Sequence, residues 1–339
     1  MSAIQTSTVD AATFSPLGKF ASPSLARSLG QLITALALHA AGWLLMLWLL
    51  RVSYILVLLV AIPVSGILVR LFIIFHDCGH GSFFRSRVAN AFVGGLIGVL
   101  TLTPYDAWRR RHAVHHADTG NLDSDRSLGS FWLLTAGEYE ALGPWARLGY
   151  RLYRHPIVLF GLGALYHFVV AQRFPQRVPP SLRRREWRSV MATNVGIVVV
   201  VTAAIALVGW RSFLLVQLPL TVLSGAMGIW LFFVQHQFAH AYWKRSPDWA
   251  FHAAALHGST HYDLPRILHW FTGNIGFHHV HHLNSRIPNY HLEECLEHVP
   301  RLQDAPRLSL RESFRCASLA LWDENRSLLI PFSDLHRVR

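Results

Sequence analysis

The chain has 339 residues, 52% of them hydrophobic, with a net charge of +12 and a mean hydropathy of +0.30; apolar runs as long as those below exclude an ordinary water-soluble core. Lys and Arg cluster beside those runs, at Arg109-Arg110-Arg111 and Arg183-Arg184-Arg185, so the basic balance reads as loops at an anionic membrane face and excludes nucleic acid as a partner. Cys78, Cys295 and Cys316 form neither a disulfide framework nor a C-x-x-C pair, which argues against a stapled secreted fold and for a reducing compartment.

Residues 1–28 read as a polar tail without a cleavable signal and too short for a fused electron-carrier domain. Residues 29–339 then read as one membrane domain. Four stretches are apolar enough to cross a bilayer: 32–50, 54–75, 190–208 and 213–234. The short links "RVS" and "GWR" pair them into two hairpins. Between the hairpins, 89–102 and 157–170 are too short for full spans and read as interfacial or re-entrant helices. Only with four true spans do all the histidine clusters and both triple-arginine runs share a side, which the positive-inside rule makes cytoplasmic. The cytoplasmic segments are then 76–189 and 235–339, with both termini on that side. The expected fold is an all-α integral membrane protein with four transmembrane helices and a cytoplasmic, His-rich helical cap.

Histidine is the compositional outlier: 21 residues, against 19 Asp and Glu together. His76 and His80 stand i, i+4 at the end of the second span and share a helix face. "RRRHAVHHADTGNLD" supplies His112, His115 and His116, and "GFHHVHHLNSRIPNY" supplies His278, His281 and His282. Both use i, i+3, i+4 spacing, which keeps each triplet on one face. His279 sits about 100° from His278 and is left out. Solvated faces normally use Lys, Glu and Arg, so three such clusters point to metal. Neutral imidazole suits Zn, Cu, Fe or Ni. Eight histidines exceed one four-coordinate zinc, and neither the zincin motif nor Glu-x-x-His pairs are present. The residues alone therefore predict a two-metal, all-histidine site and leave the metal open.

These clusters resemble the three histidine boxes of the membrane-bound fatty acid desaturase superfamily. The likeness extends to "RLFIIFHDCGHGSFF", "LTLTPYDAWRRRHAVHHADTGNLD", "GIWLFFVQHQF", "LPRILHWFTGNIGFHHVHHLNSRIPNY" and "LALWDENRSLL". It is closest to bacterial acyl-lipid desaturases of the delta-5/delta-12 (omega-6) type and runs over roughly residues 30 to 335. The resemblance implies two non-haem irons, dioxygen as co-substrate, and removal of two hydrogens from adjacent methylenes to give a cis double bond and water. It implies a ninth ligand after the last span. The family's "QH" position falls on His236, with His240, four residues on, as its rival. It also implies a membrane-lipid acyl chain as substrate, a bacterial plasma membrane as location, and a separate donor such as ferredoxin with its reductase. A hydroxylase or ketolase of the same superfamily, or a histidine-lined metal transporter, are the alternative readings.

Asp77, Asp106, Asp123 and Asp125 are candidates to orient ring nitrogens, against an ordinary exposed or capping role. "RRRH" at 109–112 could dock an acidic donor or a lipid headgroup. His39, inside the first span, is expected to bond a neighbouring helix, and His167 to be structural. One departure from the family pattern is "SDRSLGSFW", one residue longer than usual and with Ser130 where Asp is expected.

Overall fold

The computed structural model describes residues 11–126 and 131–337. Ser130 and the first ten residues of the tail fall outside that range. The chain is mostly helical. After a 3-10 segment at Ala11–Phe20, α1 (Leu25–Leu49) and α2 (Tyr54–His80) form the first hairpin. Then come α3 (Arg87–Leu100), α4 (Tyr105–Asp118), β1 (Leu134–Thr135), α5 (Ala136–Ala141) and α6 (Pro144–Arg154). A π-helical turn, Ile157–Leu162, leads into α7 (Gly163–Val169). The second hairpin is α8 (Arg183–Val208) and α9 (Trp210–His236). The remainder holds α10 (Phe251–His257), β2 (His261–Asp263), α11 (Arg266–Phe271), α12 (His278–Leu283) and α13 (Leu292–His298). It closes with β3 (Arg307–Ser309), α14 (Leu310–Cys316), β4 (Leu319–Asp323) and β5 (Leu328–Pro331).

Four helices are long and apolar enough to cross a membrane: α1, α2, α9 and the stretch Pro180–Val208 that contains α8. Each is longer than its apolar run. α1 starts at Leu25, where the Ser24 hydroxyl accepts from the Arg27 N–H at 3.5 Å, and α8 starts within the arginine run. Hydropathy marks only the apolar part, while the helical ladder continues through polar turns. α2 is central: 67% of its apolar window is buried, against 22% or less in the other three. Its outer half packs with α1 and α9 through Met46, Val57, Val64, Val216 and Leu220.

The two shorter apolar stretches become bent pairs. α3 meets α4 at 101°, and α6 meets the Ile157–Arg173 stretch at 65°. The first bend lays α4 across the end of α2. There the Tyr105 hydroxyl donates to the Cys78 carbonyl at 2.6 Å. The Ala107 N–H donates to the Ser189 hydroxyl at 3.0 Å, tying α4 to α8.

The all-α expectation needs correcting, because two small sheets brace the cap. β1 pairs parallel with β4, which pairs antiparallel with β5, and β2 pairs parallel with β3. These strands have two to five residues, too few to show a period-2 pattern. The β4–β5 turn is built by Asp323, whose side chain accepts the N–H groups of Asn325 and Arg326 at 3.0 and 3.1 Å.

Candidate metal centre

Four helix segments deliver the histidines. His76 and His80 end α2, His112, His115 and His116 lie on the second half of α4, His236 ends α9, and His278, His281 and His282 lie on α12. α2 stops right after His80 because Gly81 adopts φ +70°, a left-handed cap that costs glycine little. The Ser82 N–H then closes on the Asp77 carbonyl at 3.0 Å, fixing the last turn on which both histidines sit.

The nine side chains converge in two groups. His76, His80, His112, His116 and His281 form one, and His115, His236, His278 and His282 the other. Within each group one nitrogen of every ring lies within 4.8 Å of those of the others. The groups adjoin, since the His116 and His282 rings stack at 4.2 Å. Each triplet is divided between the groups, although equal spacing suggested one shared face. On α4, His112 and His116 are a turn apart and serve one group, while His115, about 100° from His116, turns to the other. α12 repeats the device with His278 and His282 against His281.

Hydrogen bonding among the rings does not account for this packing. The His236 Nε2 lies 3.1 Å from that of His115 and 2.9 Å from that of His278. The His116 Nε2 lies 3.1 Å from that of His112 and 3.0 Å from that of His281. One Nε2 carries either a proton or a lone pair, so it cannot serve two such neighbours. Lone pairs converging on a cation would satisfy all of them at once. Burial, reinforced by neighbouring rings, pushes His112, His115, His116, His278, His281 and His282 well below the ordinary histidine range. They are held neutral, the form that ligates metal. The donor set fits a pair of first-row transition ions, iron among them.

At His76 and His236 a partner holds the Nδ1, whereas the buried Nδ1 atoms of His278, His281 and His282 have none. The Asp77 Oδ1 lies 3.2 Å from the His76 Nδ1, and the Gly258 carbonyl 3.2 Å from the His236 Nδ1. Asp77 is itself pinned, its Oδ2 accepting the backbone N–H and the side-chain amide of Asn289, both at 2.8 Å. Asn289 lies in the quoted "SRIPNY" stretch, but nothing in its spacing announced this role. Replacing Asp77 with alanine is expected to lower metal affinity about 10–100-fold. Metal retained per chain under graded chelator measures it, and unchanged retention would remove Asp77 from the centre.

The other carboxylates stand elsewhere. Asp106 pairs with Arg110 and with Arg185, and Asp123 with Arg245 and the Ser246 N–H. Asp125 is nearer, lining a small, mainly apolar pocket that also touches His115 and His236. The "RRRH" docking patch is largely spent inside the protein: Arg110 and Arg111 bind Glu186, whose side chain is 1% exposed. His240 is exposed and joins neither group. His279 is buried beside His261. The buried Nδ1 of His39 finds no partner, contrary to the bond expected with a neighbouring helix.

A cavity of about 440 Å³ reaches the centre at His76, His112 and His278. Its walls are mainly apolar and include Val69, Phe72, Leu159, Phe168 and Phe232. Arg111, His167, Gln172 and Gln176 line it as well, so His167, expected to be structural, is a wall residue bonded to Gln172 at 2.9 Å. Sequence reasoning missed the cavity because its lining comes from seven α-helices, α2, α3, α4, α6, α7, α9 and α12, and their connections.

Residues 52–314 match the family model described as fatty acid desaturase. The chain is 42% identical over 319 residues to a fatty acid desaturase of Bacillus subtilis, covering 94% of this chain and 90% of that one. It is 29% identical over 274 residues to an sn-1 acyl-lipid omega-3 desaturase (ferredoxin) of Synechocystis, covering 74% and 67%. An sn-1 oleoyl-lipid 12-desaturase of Synechocystis is 27% identical over 222 residues, covering 65% and 62%.

Proposed function

The chain belongs to the fatty acid desaturase family, and from that premise we propose that it is a four-span enzyme of a bacterial plasma membrane that places a cis double bond in the acyl chain of a membrane lipid. Desaturation of a fatty acyl chain is the reaction, rather than hydroxylation, ketone formation or metal transport: the relatives above are named desaturases. One unit, 29–339, carries the activity. The convergence of nine histidines in two groups at the end of an apolar cavity carries the reading.

His76, His80, His112, His116 and His281 would hold one iron, and His115, His236, His278 and His282 the other. When bound, the iron pair supplies the redox chemistry with dioxygen that breaking an unactivated C–H bond demands and that zinc's Lewis acidity does not. The protein's own part is placement and exclusion. Asp77 and the Gly258 carbonyl orient rings, and Trp108, stacked on His112 at 4.4 Å, covers the centre on the cavity side. The Phe72 and Phe232 side chains keep the chain's path dry. The charge pattern supports the cap and both termini on the cytoplasmic side, where a separate ferredoxin with its reductase would deliver electrons.

The test is expression of the full chain with ferredoxin and its reductase in a host lacking the product, followed by gas chromatography of membrane lipids. A new double bond that requires oxygen is expected. Its absence, with protein, iron and donor all present, would overturn the proposal.

A further inference from the structure

The lining of the cavity holds one arginine, Arg111, beside Gln172 and the exposed Gln176, whereas the α9 wall carries no charge. From His236 that wall runs back along α9 through Phe232, Gly228 and Ser224 to Gln217. The polar side chains farthest along it are satisfied within the protein. The Trp43 Nε1 donates to the Gln217 side-chain oxygen at 3.3 Å, and the Thr221 hydroxyl donates to the Gln217 carbonyl at 2.9 Å. An acyl chain with its ester toward Arg111, the one arginine of the lining, would run its methyl end along the uncharged α9 wall.

Two glycines on this face of α9 differ in kind. A Cβ at Gly225 would meet Phe168 at 3.4 Å and Ala164 at 3.8 Å, so Gly225 lets α9 pack on α7. A Cβ at Gly228 would meet nothing within 4 Å, although Gly228 lines the cavity. Its missing side chain is part of the empty space. At 1.5 Å per residue, Gly228 lies about 12 Å along the helix from His236, and Ser224 about 18 Å.

Resting on the desaturase reading, we propose that Gly228 is the specificity-determining residue that lets the methyl end of the acyl chain pass beyond the metal centre, and so sets which carbons are desaturated. Filling that space stops the methyl end earlier. The carbons held at the centre then lie nearer the methyl terminus, and the double bond moves that way. A shorter chain, whose methyl end does not reach position 228, is desaturated at the usual carbons counted from the ester. A side chain of the same size at Ser224, farther along, acts in the same direction on longer chains only.

The experiment compares the full-length wild type, Gly228→Leu, Gly228→Phe and Ser224→Phe in a host fed fatty acids of graded length. Double-bond position is read by mass spectrometry of derivatised esters, and iron is measured in each purified protein. The expected result is a methyl-ward shift or selective loss of the longest substrates in both Gly228 variants, unchanged products from the shortest, and a smaller effect from Ser224→Phe. Unchanged positions and length profile in the variants, or equal loss at all lengths with iron retained, would overturn the proposal. Should Gly228→Phe lose its iron, Gly228→Leu and Ser224→Phe decide. A wild type that makes no double bond would instead defeat the desaturase reading itself.

Discussion

His236→Ala is expected to abolish desaturation, a fall of at least about a hundredfold, and to reduce bound iron from two per chain to one. His236 is the hinge of the smaller group, with its Nε2 3.1 Å from that of His115 and 2.9 Å from that of His278. Losing it leaves three histidines where there were four, while the five-membered group keeps its set. Removal of a group that merely orients a ligand costs about 10–100-fold, so loss of a ligand should cost more. His240→Ala, on an exposed residue outside both groups, should leave iron and products within about twofold. Iron per purified chain and lipid double bonds measure both variants. Two irons and normal products from His236→Ala, or their loss in His240→Ala, would reverse the assignment.

Glu186→Ala is expected to cost about 3 kcal/mol, because it removes the carboxylate shared by two partly buried guanidinium groups and leaves Arg110 only Asp106 and Arg111 only the uncharged Gln172. The Glu186 carboxylate takes the Arg110 Nη2 at 2.6 Å and the Arg111 Nη1 at 3.1 Å, and its side chain is 1% exposed. Both arginines belong to α4, which also carries His112, His115 and His116. The loss should therefore show as a lower unfolding midpoint together with metal release. Glu186→Gln, which keeps the shape and one acceptor, should lie between. Loosening the Asp106–Arg185 pair with Arg185→Ala, where Arg185 is 53% exposed, should cost no more than about 1 kcal/mol. Thermal unfolding in detergent with parallel iron assay distinguishes them. Equal midpoints for Glu186→Ala and wild type would show that α4 is held by apolar packing alone.

The long elements and the ligand types were legible because each is stated locally. Tyr54–Phe75 is apolar over more than a bilayer's width, and three histidine clusters together have few uses but metal, although a lone i, i+4 pair more often caps a helix or serves an interface. The division of each triplet was not legible. Whether His115 or His116 faces a given partner depends on how α4 lies across α2 and α9, a fact of tertiary packing. The same holds in part for Asp106: its spacing from the histidines suggested a supporting role, but it pairs with Arg110 one turn on along α4 and with Arg185 on α8, and no local pattern announces that α8 meets α4 there. β1 escaped for a related reason, since its partner β4 arrives more than 180 residues later in a strand too short to show alternation.

The split of α12 also orders events during synthesis. The five-membered group waits for His281, and the other for His278 and His282. His76 leaves the ribosome about 200 residues ahead of them, on the order of 10–40 s at ordinary elongation rates. During that interval the early histidines hold only part of each set. Neither metal seat is complete until both hairpins have formed and the third cluster has folded back over them. On the di-iron proposal, metal loading is thereby deferred to a nearly finished chain, and a redox-active ion would find no complete seat in a half-built one.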